Sequence, residues 1–173
     1  MNKQISLKPQ DLFVLLKVAC HPDRSFTYAQ LGEQLGIAAS ATHASIKRGV
    51  AARLIFINEE GMQASRASLR EFLVHGAKYA FPPVSGSVTR GMPTAYAAPP
   101  LRESINQPDE FPPVWPSPEG NVRGIALYPL YPTAPQASFR DLRLYECLAL
   151  FDALRTGAAR EREMAQQLLT ERI

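Results

Sequence analysis

Prolines are concentrated in one part of this 173-residue chain, and they restrict the secondary structure that this part can form. Thirteen of the fifteen prolines lie between Pro82 and Pro135. A proline ring clashes with the preceding helical turn, and its missing N–H removes a hydrogen bond from a helix or a strand ladder. The stretch therefore excludes long helices, disfavours central strands, and predicts a segment that is mostly extended or looped.

The same stretch carries more aromatic rings than a flexible linker usually has. They include Tyr96, Phe111, Trp115, Tyr128 and Tyr131. We expect these rings to be buried, either against this chain or a second copy of it, or against a different protein. One strand is predicted within the stretch, over residues 122–130 (VRGIALYPL), and its internal proline would confine it to a sheet edge.

Apolar residues recur at helical spacing on both sides of the proline-rich stretch. Four helices are predicted from this spacing, over residues 8–20, 65–79, 138–155 and 158–172. The first has one apolar face, formed by Leu12, Leu15, Leu16 and Ala19. Ser138 begins a capping-box pattern, and we expect the last two helices to form a hairpin that packs on a partner surface, most simply a second copy of itself.

Residues 26–63 contain the pattern of two helices joined by a tight turn. Thr27 can cap a short helix, and Gly36 can end it in a left-handed conformation. A second helix is predicted over residues 39–52, with Thr42, Ile46 and Val50 on its buried side. Its outer face is short, polar and basic, and it consists of Ser40, His43, Ala44, Lys47, Arg48 and Ala51.

A β-branched run follows the second helix, and a turn at residues 58–61 can return the chain as a second strand over residues 62–65. With the motif Tyr28–Ile37 (YAQLGEQLGI) and the sequence Arg53-Leu54-Ile55, residues 8–80 resemble the winged helix-turn-helix regulators of bacteria, of the MarR type in the broad sense. Ala38, Gly49 and Arg53 depart from the pattern of that family. The resemblance implies a sequence-specific DNA-binding regulator in which the two strands form the wing. It also implies that the helix after the wing leads to a dimer contact.

Candidate contact residues follow from these patterns. The DNA-binding candidates are Ser40, Thr42, His43, Lys47, Arg48, Arg53, Asn58, Gln63 and Arg66. The candidates for a dimer or partner contact are Tyr96, Phe111, Trp115, Tyr128, Tyr131, Leu148 and Phe151. The simpler interpretation is that a helix face with lysine and arginine is solvated surface, and three-helix units also serve as protein-interaction modules.

Charge is distributed unevenly along the chain. Residues 1–80 hold ten lysines and arginines against six acidic residues, whereas residues 81–173 hold nine against ten. All five lysines lie in the first group, which also contains the predicted recognition helix. This distribution favours a polyanion as the partner of the first part.

Several functional classes have no motif in the sequence. Phosphate-binding, dinucleotide-binding, nucleophile-elbow and His-Glu-x-x-His motifs are missing, so we expect no enzyme, cofactor or metal site. His21 beside Cys20 could ligate a metal or activate a thiol, but both cysteines are interpreted as core thiols. No leader sequence or apolar run of membrane-spanning length is visible, which predicts a cytoplasmic protein.

Together these observations predict a mainly α fold with three parts. Residues 1–80 form a winged helix-turn-helix DNA-binding domain with three helices and a two-stranded wing, residues 81–137 an extended arm, and residues 138–173 a C-terminal helical pair. The predicted function is a dimeric transcription regulator, a repressor, that binds double-stranded DNA at an inverted-repeat operator. The alternative is an antitoxin or adaptor whose residues 81–173 bind a partner protein such as a toxin.

Overall fold

The computed structural model describes residues 4–106 and 110–173, and it combines helices with two separate β-sheets. The helices are α1 (Pro9–Ala19), α2 (Tyr28–Leu35), α3 (Ala39–Ala51), α4 (Arg66–Glu71), α5 (Ala77–Ala80), α6 (Ala134–Arg140), α7 (Leu142–Thr156) and α8 (Ala159–Arg172). The strands are β1 (Ile55–Asn58), β2 (Gly61–Ala64), β3 (Ser85–Pro93), β4 (Pro113–Pro116) and β5 (Val122–Leu127). A π-helical turn at Phe72–Gly76 joins α4 to α5, and short 3-10 turns at Ala95–Ala97 and Leu101–Glu103 follow β3.

The predicted fold class is wrong. We expected a mainly α chain with a winged helix-turn-helix domain, an extended arm and a helical pair, but the chain is mixed α/β. The region predicted to be an arm contains a three-stranded sheet, in which each strand pairs with the other two. β3 is antiparallel to both β4 and β5, and β4 is parallel to β5. The strands β1 and β2 form a second, two-stranded antiparallel sheet.

The prolines fit the three-stranded sheet because they stand at the ends of its strands. β3 ends at Pro93, and β4 begins at Pro113 and ends at Pro116, where a missing N–H disturbs the ladder least. β5 ends before Pro129, so this proline does not confine it to an edge as predicted. A Cβ on Gly124 of β5 would lie 1.9 Å from the carbonyl oxygen of Pro112, which shows how closely the strands approach.

α1 is buried on all sides. Every residue from Asp11 to Cys20 is buried, so the apolar face predicted for this helix is too narrow. Phe13, on another side of the helix, stacks on Tyr131 with 5.6 Å between ring centroids. A helix that is apolar on most sides belongs in the interior of a fold, and the two charged residues that α1 buries, Asp11 and Lys17, are both in ion pairs. Here α1 lies between the N-terminal elements and α7, because it contacts α2, α3, β2 and α7.

α7 is a second central helix. Its start is fixed by Asp141, whose Oδ1 accepts a hydrogen bond from the backbone N–H of Leu144 at 3.2 Å. The predicted cap at Ser138 is therefore wrong, since Ser138 lies buried inside α6. Leu148 and Phe151 are 1% and 0% exposed, respectively, and pack in the core of their own chain. The prediction that these two residues contact a dimer mate or a partner is also wrong.

One continuous cluster of buried side chains includes residues from all three predicted parts, 1–80, 81–137 and 138–173. The first and last predicted parts are also joined directly, because Nη2 of Arg70 in α4 donates hydrogen bonds to the carbonyl oxygens of Thr170 and Ile173. The division into three parts stays a prediction, and its residues 1–3 and 107–109 lie outside the described residues.

Candidate nucleic-acid interface

The turn between α2 and α3 is fixed at both ends of α2. Thr27 Oγ1 accepts a hydrogen bond from the backbone N–H of Gln30 at 3.1 Å, and Gln30 Oε1 accepts one from the N–H of Thr27 at 2.9 Å. Gly36 ends the helix with a φ of 67°, in the left-handed region that favours glycine. The predicted cap and the predicted stop are confirmed, and together they set where α3 begins.

The outer face of α3 is polar and carries one exposed lysine, Lys47. Ser40, His43 and Lys47 are all exposed, and their spacing of three and four residues places them on one face. The His43 ring packs edge-on against Tyr28 of α2, with 4.8 Å between the ring centroids, so α2 supports the His43 side chain. Ala39 and Ala51 are exposed near the two ends of α3 and add little bulk there.

The first turn of α3 has no side-chain cap. Its N-cap residue is Ala38, and its side chain cannot accept a hydrogen bond from the backbone. Ser40 cannot replace it, because this residue lies inside the helix at its second position. Backbone N–H groups of the first turn are therefore available to an external acceptor such as a phosphate oxygen.

The inner face of α3 differs from the predicted one at two neighbouring positions. Val50 was predicted to be buried but is 41% exposed. Gly49 lies inward instead, and a Cβ at this position would come within 2.9 Å of side-chain atoms of both Leu15 and Ile55. The absence of a side chain at Gly49 lets α3 cross close to α1 and β1.

Thr42 does not contact DNA in this arrangement, contrary to its place among the candidates. The residue is 0% exposed, and its hydroxyl donates a hydrogen bond to the carbonyl oxygen of Ala38 at 3.2 Å. Its periodicity already places it on the inner face of the helix. Thr42 therefore supports α3 from inside.

Arg48 has a structural partner within the chain, and its role as a phosphate contact stays a prediction. Its Nε and Nη2 atoms donate hydrogen bonds to the two carboxylate oxygens of Asp11, at 2.7 and 2.6 Å. Asp11 is 0% exposed, whereas the Arg48 side chain retains 22%. The hydrogen bonds to Asp11 raise the pKa of Arg48, and partial burial opposes this in part. The guanidinium is thus held against α1 and away from the outer face.

A second contact between α1 and α3 involves Gln10. Its side-chain amide donates hydrogen bonds to the carbonyl oxygen of Ala41 and to the hydroxyl of Ser45, at 3.2 and 2.9 Å. Sequence reasoning missed both Gln10 and Asp11 as supports of α3. The signal was the position of Asp11 at the start of a largely apolar run, since a buried carboxylate needs a partner.

Arg53 lies just beyond α3 in an unfavourable backbone conformation. Its φ is 60°, in the left-handed region where glycine is favoured and other residues are strained. The side chain is exposed. A glycine at this position would remove the strain, so the structure keeps an exposed arginine here at an energetic cost.

The β1–β2 hairpin carries only acidic charges, at Glu59 and Glu60, and a basic residue, Arg66, follows it. Asn58 Oδ1 accepts a hydrogen bond from the backbone N–H of Glu60, and Gln63 Nε2 donates one to the Glu60 carboxylate at 2.7 Å. Two of the candidate contacts, Asn58 and Gln63, are thus engaged within the hairpin, next to an exposed carboxylate. Arg66, at the start of α4, is exposed.

The candidate partner residues are divided between core and surface. Trp115 is 1% exposed and its indole N–H donates a hydrogen bond to Asp152 at 2.6 Å, so it cannot contact another molecule. Tyr96, Phe111 and Tyr131 are half-buried. Tyr128 is 51% exposed, which leaves it free to contact another molecule.

None of the helices formed by residues 4–106 and 110–173 is both long and apolar enough to cross a membrane. Comparisons with protein-family profiles, with curated proteins and with solved structures gave no significant match. The resemblance of residues 8–80 to bacterial regulators therefore stays a prediction, which depends on the residues themselves.

Proposed function

We propose that this chain binds double-stranded DNA sequence-specifically through α3 and acts in the cytoplasm as a dimeric repressor on an inverted-repeat operator. The observation that carries the proposal is the exposed face of α3. Ser40 and His43 can exchange hydrogen bonds with base edges, and Lys47 can reach a flanking phosphate. Two such helices in a dimer would contact half-sites about one DNA turn apart, or a multiple of that distance.

The surroundings of α3 support the same interpretation. The uncapped first turn offers backbone N–H groups to a phosphate at one end of the helix, and exposed Arg53 offers a positive charge just beyond the other end. Small side chains at Ala39 and Ala51 allow the helix to approach a groove. The buried bridge between Arg48 and Asp11 fixes the direction in which α3 projects.

The hairpin limits how the chain can contact DNA. Glu59 and Glu60 are exposed at its tip, and both would be repelled by phosphates in the minor groove. We therefore infer that the tip stays outside the groove and that Arg66, at the far end of the hairpin, contacts the backbone.

A titration of the full chain with labelled DNA tests the proposal. The probe is the promoter fragment upstream of its own gene, a random-sequence fragment of equal length is the control, and salt is varied from about 50 mM upward. We expect tighter binding to the promoter fragment and a steep loss of affinity with salt. Equal affinity for both fragments would contradict sequence-specific recognition, and no binding at the lowest salt would contradict DNA binding altogether.

A different surface supports the alternative function, that of an antitoxin or adaptor. Val88 and Ile125 pair across β3 and β5 and are 40% and 45% exposed, and Tyr128 is exposed beyond them. An exposed apolar sheet surface is typical of a protein-binding site. Co-expression with the product of the adjacent gene tests this alternative. Association that is lost in Ile125→Lys but kept in Lys47→Ala would favour it, and absence of association would contradict it.

A further inference from the structure

A cluster of thiol, imidazole and carboxylate groups lies where the end of α1 meets α7. Cys20 and Cys147 line the same cavity, and the Cys20 thiol donates a hydrogen bond to the carbonyl oxygen of Lys17 at 3.4 Å. Cys20 Sγ, a ring nitrogen of His21 and a carboxylate oxygen of Asp141 all lie within 4.8 Å of one another. The four residues are far apart in sequence, except for the adjacent pair Cys20 and His21, and the packing of α1 on α7 brings them together.

Asp141 holds the His21 ring in place. Its Oδ2 lies 2.7 Å from His21 Nε2 and accepts a hydrogen bond from Lys17 Nζ, while its Oδ1 accepts the N–H of Leu144. Both carboxylate oxygens are therefore occupied, which makes Asp141 a positioning residue. Because Nε2 faces the carboxylate, Nδ1 is the nitrogen whose lone pair is left for another partner. A carboxylate behind a histidine is the usual outer support of a metal-binding imidazole.

We propose that Cys20, Cys147 and His21 bind a zinc-class divalent ion, with Asp141 positioning His21. Two thiolates and one imidazole are donors that zinc prefers, and three protein ligands leave a fourth position for water or another small ligand. The charges also balance, since two thiolates neutralise the ion and the Lys17 ammonium neutralises Asp141. Cys20 Sγ and a ring nitrogen of His21 already lie within 4.8 Å of each other, and Cys147 completes the ligand set by rotation of its side chain toward Cys20 in the cavity that both line.

The cluster can be reached from the surface. Cys20 and Cys147 line a cavity of about 350 Å³, and His21 lines a neighbouring cavity of about 420 Å³. Pro22 and Arg66 line both cavities, so the two openings flank the Cys20–His21 pair. An ion can thus enter without unfolding of α1 or α7, although all three ligand side chains are largely buried.

Cobalt(II) titration of the reduced, chelator-treated full chain tests the proposal. We expect one equivalent of Co²⁺ to bind with the thiolate charge-transfer and intense d–d absorption of tetrahedral coordination, and Zn²⁺ to displace it. Alkylation followed by mass spectrometry needs no variant, and in it Zn²⁺ is expected to protect both cysteines. A spectrum without thiolate charge transfer, or equal alkylation with and without Zn²⁺, would overturn the proposal.

Variants separate the ligands from the positioning residue. Cys20→Ser and Cys147→Ala are expected to lose stoichiometric binding, and Asp141→Asn to keep it with an affinity about 10- to 100-fold lower. His75→Ala, which removes an exposed histidine elsewhere, is the matched control and is expected to bind like the unmodified chain. Circular dichroism in chelator confirms which variants fold. Unchanged binding by a folded Cys20→Ser protein would contradict the proposed site.

Discussion

Arg48 of α3 and Asp11 of α1 form a two-pronged ion pair in which each carboxylate oxygen accepts one guanidinium N–H. The same carboxylate accepts the backbone N–H of Lys8 at 2.8 Å. One buried group therefore both caps α1 and sets the rotation of α3 about its axis. Pairs with this geometry are more specific in direction than a point contact between charges. The exposed position of Lys47, the preceding residue, follows from that orientation.

Arg48→Ala is expected to destabilise the fold strongly. The substitution leaves the Asp11 carboxylate buried without its main partner, which typically costs about 3–5 kcal/mol. Urea unfolding followed by circular dichroism measures the loss. Lys47→Ala is the matched control, because it removes a positive charge from the next residue at an exposed position and should change stability by less than about 0.5 kcal/mol. Similar stabilities for the two variants would contradict the structural role of Arg48.

Lys47→Ala is expected to weaken DNA binding while leaving the fold intact. Loss of one phosphate contact lowers affinity for all sequences and reduces the slope of log affinity against log salt by about 0.9. His43→Ala is expected to lower the preference for the operator over random DNA without changing that slope. Arg160→Ala removes an exposed positive charge from α8 and serves as the control. If it reduces affinity as much as Lys47→Ala does, α3 is not the binding surface.

Arg53→Gly is expected to raise the stability of the fold slightly and to weaken DNA binding. Relief of the left-handed strain gains about 1–2 kcal/mol, and the greater freedom of glycine in the unfolded chain offsets about 0.5–1 kcal/mol of that gain. The variant should therefore be slightly more stable, yet bind DNA less tightly, than the unmodified chain. Arg53→Ala keeps the strain and loses the charge, so it should bind equally weakly and gain no stability. Equal unfolding midpoints for these two variants would contradict the strain at Arg53.

Local sequence patterns were sufficient for the helix-turn-helix segment but not for its supports. Thr27, the left-handed Gly36 and the outer residues of α3 follow from rules that involve neighbours along the chain. The inward position of Gly49 does not, since it depends on how closely Leu15 and Ile55 approach from other elements. Asp11 and Arg48 are 37 residues apart in sequence, and no helical or strand periodicity relates positions at that distance.

The remaining errors have the same physical origin. A proline disfavours a central strand only at a position where the backbone N–H would bond to a neighbouring strand. Pro93, Pro113 and Pro116 occupy strand ends instead. Sequence reasoning weighed Cys20 and His21 as metal ligands but could not join Cys147 and Asp141 to them, because these two residues are more than 100 residues away in sequence. Tertiary packing brings these groups together, and no spacing rule for ligands describes the result.

Asp152→Ala is expected to weaken the packing of α7 on the three-stranded sheet. The carboxylate is 1% exposed and accepts hydrogen bonds from the Thr94 hydroxyl and the Trp115 indole, each at 2.6 Å, as well as from Arg155. Its removal leaves the largely buried Arg155 without a counter-charge, at a cost of about 3–5 kcal/mol.

Fluorescence of the single tryptophan reports this packing directly. In the Asp152→Ala variant we expect red-shifted emission from Trp115 and a lower urea midpoint. Glu163→Ala removes an exposed carboxylate from α8 and should leave both unchanged. An unshifted emission spectrum together with an unchanged midpoint in Asp152→Ala would show that the carboxylate contributes nothing to this interface.

Stability at high pH is expected to depend on Tyr145. The phenol lies in the core, donates a hydrogen bond to the carbonyl oxygen of Pro93 at 2.7 Å and packs edge-on against Trp115. Burial raises the pKa of Tyr145 to about 12, and the nearby Arg102 opposes this only in part. In the unfolded chain the pKa of a tyrosine is about 10, so the neutral phenol favours the folded state.

The sign of the effect follows from these two pKa values. Below pH 10 the phenol is neutral in both states and its contribution to stability is complete, and between about pH 10 and 12 ionisation of the unfolded chain removes it. The loss amounts to at most about 3 kcal/mol. Tyr145→Phe should be less stable at neutral pH, because its hydrogen bond is lost, but should show a shallower decline above pH 10. Lysines titrate in the same pH range, so a control variant is needed. The loss of stability of Tyr145→Phe above pH 10 is compared with that of Tyr79→Phe, in which the replaced tyrosine is 76% exposed. If Tyr145→Phe and Tyr79→Phe decline equally steeply, the phenol of Tyr145 ionises as readily in the folded chain as in the unfolded one.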